Sequence, residues 1–202
     1  MHARSAPVPA RVRVAPASRV ARREGSRATR ASVSAGAAAE SRPAVVVLPG
    51  LGNQTEDYDA FAADLAARGF SVTVARVARP DWLRNAAGLA DVNYWKGTLR
   101  PRPTVDWYLG RIDDAIAQAK AASGAQQVSL VAHSAGGWMA RVYLEDFGTS
   151  SVRQLVSLGS PLNSVPEDVP GVVDQTRGIL TFVESQCASA AELAARGVAV
   201  TC

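Results

Sequence analysis

The stretch Val128–Met139, VSLVAHSAGGWM, decides how this chain is read. Val128, Leu130, Val131 and Ala132 make an apolar run that ends at His133-Ser134-Ala135-Gly136-Gly137, and an amphipathic segment follows from Trp138 to Phe147. The run reads as a buried strand and the segment after the glycines as a helix, so the turn between them is sharp. A strand, a tight turn with serine at its apex and a helix form the pattern of a nucleophile elbow. The constraint is steric. The serine's backbone is strained, strand and helix cross closely beside it, and only small residues fit two positions before and after it. Those positions hold Ala132 and Gly136. The usual pattern has glycine at the first of them, so this chain departs by one methyl group. A serine ahead of a helix also serves as an N-cap. The buried run before Ser134 and the paired glycines after it favour the elbow, with Ser134 as nucleophile.

Upstream, Pro43-Ala44-Val45-Val46-Val47-Leu48 is a β-branched run that reads as a buried parallel strand, broken by Pro49-Gly50-Leu51-Gly52-Asn53. A glycine loop between a strand and a helix is a plain turn on its own. Paired with an elbow, it supplies a backbone N–H that can face the serine. The N–H groups of Leu51 and Ala135 are the candidate oxyanion donors, since two such groups aimed at one point stabilise the charge that develops on a carbonyl oxygen.

The remaining segments alternate strand and helix signals. Tyr58 to Arg68 has helical spacing with Phe61 and Leu65 on one face, and Gly69 stops it. Phe70 to Val77 alternates as a strand. Residues 79–103, RPDWLRNAAGLADVNYWKGTLRPRP, show little periodicity and carry Trp82, Tyr94 and Trp95. An aromatic-rich insertion of this length reads either as a cap over a substrate pocket, with those three rings as pocket candidates, or as a surface loop packed on the body. Val105 to Ala121 is expected to be helical with Val105, Leu109, Ile112 and Ile116 inward, ended by Ser123-Gly124. Gln154 to Leu158 predicts a strand closed by Gly159-Ser160-Pro161. Gly178 to Ala195 reads as one helix and Val198 to Thr201 as a last strand.

With 202 residues the chain is long enough for one domain with a substantial core. Its formal charge of +4 is concentrated at one end. Residues 1–39 hold eight arginines and one acid, Glu24, whereas from Glu40 onward there are 14 Lys+Arg and 17 Asp+Glu. No basic face remains to favour nucleic acid. The Arg-rich, Ser-rich, acid-poor composition of residues 1–39 reads as an organellar transit peptide, chloroplast first and mitochondrion as the alternative, or else as a basic tail. The two cysteines, Cys187 and Cys202, form no CxxC pair, and neither a metal nor a cofactor is expected.

PGLGN, AHSAGG and LGSP, in this order and spacing, resemble the α/β-hydrolase superfamily, in its lipase-like and GPI-inositol-deacylase-like branch. DWLRNAAGLADVNYWKGTLRPRPTVDWYLGRID and PGVVDQTRGIL resemble plant and algal plastid α/β-hydrolase-like proteins, from about Arg42 to the end. The resemblance implies an α/β fold with a doubly wound, mostly parallel sheet, a serine nucleophile at Ser134, and an ester or lipid substrate. It leaves peripheral contact with a membrane and the oligomeric state open. Members of the family place their acid and histidine after the elbow. This chain has only His2 and His133. A side chain adjacent to the apex points elsewhere, so His133 is expected to be a packed residue, and a C-terminally incomplete chain is expected. Besides a serine hydrolase, an acyltransferase or a non-catalytic binding protein on the same fold is consistent with these residues.

Overall fold

The computed structural model describes residues 42–166 and 172–202; the predicted leader, residues 1–39, lies outside the described residues. Five strands, β1 (Ala44–Leu48), β2 (Ser71–Val74), β3 (Val128–His133), β4 (Val152–Leu158) and β5 (Ala199–Thr201), form one sheet in the order β2-β1-β3-β4-β5. Every pairing is parallel. The described helices are α1 (Asp59–Ala67), α2 (Val92–Lys96), α3 (Asp106–Ser123), α4 (Ala135–Phe147), α5 (Ile179–Gln186) and α6 (Ala190–Ala195), with 3-10 segments at Thr55–Tyr58 and Arg79–Ala90.

Parallel neighbours need crossovers, and right-handed crossovers decide which face each helix takes. The chain steps from β1 outward to β2 through α1. It then returns across β1 to β3 through α3 and continues outward through α4 to β4. This reversal puts α1 on one face of the sheet and α3 and α4 on the other, which is the doubly wound arrangement expected from the sequence. Alternation along the strands does the rest. Ala44, Val46 and Leu48 of β1 and Leu130 and Ala132 of β3 join Leu109, Ile112 and Ile116 of α3 and Met139 and Leu144 of α4 in one buried cluster. Burying each of those large aliphatic side chains contributes about 1.5–3 kcal/mol. The strand order reverses between β1 and β3, so the loops at their carboxyl ends part and leave a crevice. The PGLGN loop and the Ser134 turn are those two loops.

The helix expected over Val105–Ala121 is present as α3, with all four predicted inward residues buried and Gly124 closing it at φ 72°. Three segments differ from their sequence reading. No residue of α1 is fully buried, and Phe61 is 38% exposed, so its apolar face covers the sheet only in part. The predicted helix 178–195 is two helices, interrupted at Cys187-Ala188-Ser189. There Ser189 caps α6 by accepting from the Glu192 N–H, while the Glu192 carboxylate accepts from the Ser189 N–H. The Arg141 guanidinium donates to the carbonyls of Val183, Cys187 and Ala188 and so satisfies the end of α5. The third is the insertion, which is ordered into 3-10 helix and α2. Asp91 caps α2 by accepting from the Asn93 N–H at 2.8 Å, and Gly97 ends it at φ 71°.

Candidate active site

Ser134 stands at the carboxyl end of β3, the central strand, with φ 50° and ψ −123°. That backbone region is costly for any residue with a Cβ. It persists because its neighbours hold it: the Ser134 N–H donates to the Leu158 carbonyl at 2.9 Å, and the Gly137 N–H donates to the Ser134 carbonyl at 3.1 Å. The glycines after it are required by contact. A Cβ at Gly136 would stand 2.8 Å from the Leu48 carbonyl oxygen, and one at Gly137 would stand 2.5 Å from Ser160 Cβ. The start of α4 therefore lies against β1 and the turn after β4, and the serine is pushed out at the apex.

Ser134 opens on a cleft of about 500 Å³. Leu51, Ala135, Trp82 and Tyr94 line it as well, so five of the six residues named from the sequence share one cavity. The sixth, Trp95, is not among the lining residues. It is 68% exposed, stands edge-on to the Tyr94 ring at 5.2 Å, and donates its indole N–H to the Leu89 carbonyl. Trp82 is buried, donates its indole N–H to the Asn53 carbonyl at 2.7 Å, and packs on Trp107 and Tyr108. It thus joins the insertion to the PGLGN loop. Among the described residues, no backbone carbonyl accepts from the Leu51 N–H or the Ala135 N–H.

Sequence reading missed most of the cleft wall. Trp138 and Met139 of α4 line it, as do Thr176, Ile179 and Leu180. The segment around Thr176 is a turn locked by Asp174, whose carboxylate accepts from the Thr176 N–H, the Thr176 hydroxyl and the Gly178 N–H at 2.6–2.7 Å. It meets the insertion closely: the Leu99 N–H donates to the Arg177 carbonyl at 2.8 Å, the Arg177 guanidinium lies 5.1 Å from the Tyr94 ring centre, and a Cβ at Gly178 would collide with the Gly97 carbonyl. The signal for this was the DQTRG run itself, in which Asp, Thr and Gly at that spacing form a side-chain-capped turn.

His133 faces away from the cleft. It lines a separate cavity of about 280 Å³ with Val47, Tyr58, Phe61, Val131 and Leu158, and its Nδ1 is 2.8 Å from the Tyr58 hydroxyl. The Tyr58 hydroxyl also accepts from the Gly50 N–H at 2.9 Å, and on the other side of the loop the Tyr108 hydroxyl donates to the Pro49 carbonyl at 2.5 Å. Burial raises the ionisation of both phenols above the ordinary range, so both remain hydroxyls. Among the described residues no group of three His, Cys, Asp or Glu side chains is placed to hold a metal.

A family model described as alpha/beta hydrolase fold matches residues 43–180, more than half of the chain. The chain belongs to the alpha/beta hydrolase fold family. Similar solved structures include a thioesterase domain from the curacin biosynthetic pathway, 20% identical with a TM-score of 0.41, covering 62% of this chain and 39% of that one. A lipase-like protein from Sulfolobus solfataricus is 18% identical with a TM-score of 0.46, covering 77% of this chain and 44% of that one. This alpha/beta hydrolase fold chain therefore spans less than half the length of either. Comparison with curated protein sequences gives no match.

Proposed function

We propose that this alpha/beta hydrolase fold protein is a serine hydrolase acting on carboxylic esters, lipids included, through an acyl-enzyme on Ser134. One observation carries the reading: a serine held at φ 50° opens on a cleft of about 500 Å³ lined mainly by apolar side chains. Ser134 Oγ would attack the carbonyl carbon. The Leu51 and Ala135 N–H groups would receive the oxyanion, and Trp82, Tyr94, Trp138 and Met139 would surround the acyl chain. The finer relationship rests on PGLGN, AHSAGG and LGSP for the lipase-like branch, and on the DWLRNAAG and LRPRP runs for the plastid members.

The serine proton needs a base, and here a second reading has its own support. His133 is bonded to Tyr58 outside the cleft, and His2 is the chain's other histidine. His133 in that arrangement is not the base, and the second reading is a non-catalytic binding protein on the same fold. Hydrolysis of p-nitrophenyl esters with and without added imidazole, alongside fluorophosphonate labelling, separates the two. The hydrolase reading expects imidazole to raise labelling of the chain and its turnover above the imidazole-only rate, with Ser134→Ala unlabelled and at that background rate. Equal behaviour of the two proteins supports the binding reading. Adding an alcohol acceptor and analysing products tests for acyl transfer.

We also infer import into a plastid, or into a mitochondrion, from the composition of residues 1–39. A fluorescent fusion of residues 1–50 is expected in the organelle; a cytosolic signal refutes the inference. Peripheral membrane contact belongs to the same proposal, and flotation with lipid vesicles tests it.

A further inference from the structure

Two tyrosines reach one peptide unit from opposite faces of the sheet. Tyr108, on α3, donates to the Pro49 carbonyl, and Tyr58, just before α1, accepts from the Gly50 N–H. Pro49 C=O and Gly50 N–H belong to the same planar amide, so that plane is held at both ends. The Gly50 N–H occupies one Tyr58 lone pair; in the clamp proposed below, the Tyr58 hydroxyl gives its proton to His133 Nδ1, which is the tautomer with the imidazole proton on Nε2. The series runs Tyr108, Pro49–Gly50 amide, Tyr58, His133. Leu51 follows its amide in sequence, and Ser134 follows its last member, His133.

The loop has two other tethers, the Asn53 N–H on the Gly50 carbonyl at 3.0 Å and the Trp82 indole on the Asn53 carbonyl, and neither reaches the Pro49–Gly50 amide. Gly50 and Gly52 give its backbone wide freedom, and Gly52 has φ 78°. The Leu51 side chain is 62% exposed, so packing does not fix the loop through it. Gly50 also abuts the elbow, since a Cβ there would stand 2.9 Å from both His133 Nδ1 and Ser134 Cβ. An oxyanion donor works only when it is aimed before the charge develops.

We propose that Tyr58, Tyr108 and His133 form a clamp that orients the Pro49–Gly50 peptide and thereby aims the Leu51 N–H at the reaction centre beside Ser134. All three are positioning residues, and the proposal rests on the hydrolase reading of Ser134. It accounts for a histidine beside the nucleophile that takes no proton from it.

Phenylboronic acid tests the clamp on the full chain without requiring turnover. Ser134 Oγ bonds to boron, the hydroxyl proton passes to solvent, and the tetrahedral boron keeps both its hydroxyls and carries the negative charge toward the oxyanion donors. Tyr58→Phe and Tyr108→Phe are expected to weaken phenylboronate about tenfold, a fraction of what deleting an oxyanion donor costs. Benzyl alcohol, which is neutral and fills the same cleft, is expected to bind unchanged. His133→Asn, which keeps an acceptor where Nδ1 stands, should recover most of what His133→Ala loses. In a ¹⁵N-histidine-labelled chain carrying His2→Asn, the single imidazole should show Nδ1 as a hydrogen-bonded acceptor, and Tyr58→Phe should remove that signature. If the tyrosine variants bind phenylboronate as well as the wild type, the clamp is overturned and the Ser134 reading stands. If the wild type fails to bind it while His133 still reports its bond to Tyr58, the hydrolase reading falls and the positioning role with it.

Discussion

Replacing Ser134 with glycine should leave the protein more stable than replacing it with alanine. Both changes remove the hydroxyl, so they differ in the Cβ alone. At φ 50° and ψ −123° that Cβ is crowded against the backbone, which costs about 1–3 kcal/mol for a non-glycine residue. Glycine returns part of the gain, because its unfolded chain is freer by about 0.4–1 kcal/mol. The difference is about 1 kcal/mol in favour of glycine. For a domain of this size that corresponds to a melting temperature about 2–4 °C higher for Ser134→Gly than for Ser134→Ala. Thermal and urea unfolding of the two variants, followed by circular dichroism, gives the comparison directly. A lower melting temperature for the glycine variant, with equal cooperativity, would show that the turn stores no strain. The inference that the backbone is built to display this side chain would then fail.

Other substitutions probe the surroundings of the turn. Gly136→Ala brings a methyl against the Leu48 carbonyl, a backbone atom that cannot swing aside, and is expected to cost about 1–3 kcal/mol in urea unfolding. Trp82→Phe keeps the ring packing but leaves the Asn53 carbonyl without its donor, and is expected to cost about 1–3 kcal/mol by the same measurement. The thiols should separate by accessibility. Cys202 is exposed and should react with Ellman's reagent in the native protein, whereas Cys187 should react only on unfolding. Burial, opposed in part by Arg141, pushes the Cys187 thiol from its ordinary 9.0 up to about 11. Its folded state thus favours the protonated form. That contribution is fully present below the unfolded value and is lost as pH rises toward the folded one, so Cys187→Ala should flatten the fall in stability between them.

The parts legible in the sequence are those where sterics leave few choices. Gly136 and Gly137 are small because Leu48 and Ser160 press on them, and that necessity shows as a motif. The strands were legible because a sheet flanked by helices makes β1 and β3 apolar along most of their length. What stayed hidden depended on reach across the fold. Tyr58 and Tyr108 are ordinary helix-region tyrosines until the sheet brings their hydroxyls to one amide. Trp95 looked like Tyr94's companion in the cleft, yet a helical step turned its ring outward onto Tyr94. The break before α6 did leave a local trace: Ser189-Ala190-Ala191-Glu192 is a capping box, and the continuing apolar spacing around it masked the signal.

The seam where Gly97 meets Gly178 has a consequence for how the protein comes into being. One side of the cleft's roof belongs to the insertion before α3 and the other to the turn before α5, so the two are joined only after β3, α4 and β4 have been laid down between them. Such a distant closure comes late in folding, because the intervening chain must be ordered before the contact is rewarded. During synthesis the serine turn therefore emerges and takes shape while its chamber is still open to solvent. The cleft is consequently complete only in the finished fold, and a nascent chain that already displays Ser134 still lacks the wall that Thr176, Ile179 and Leu180 supply.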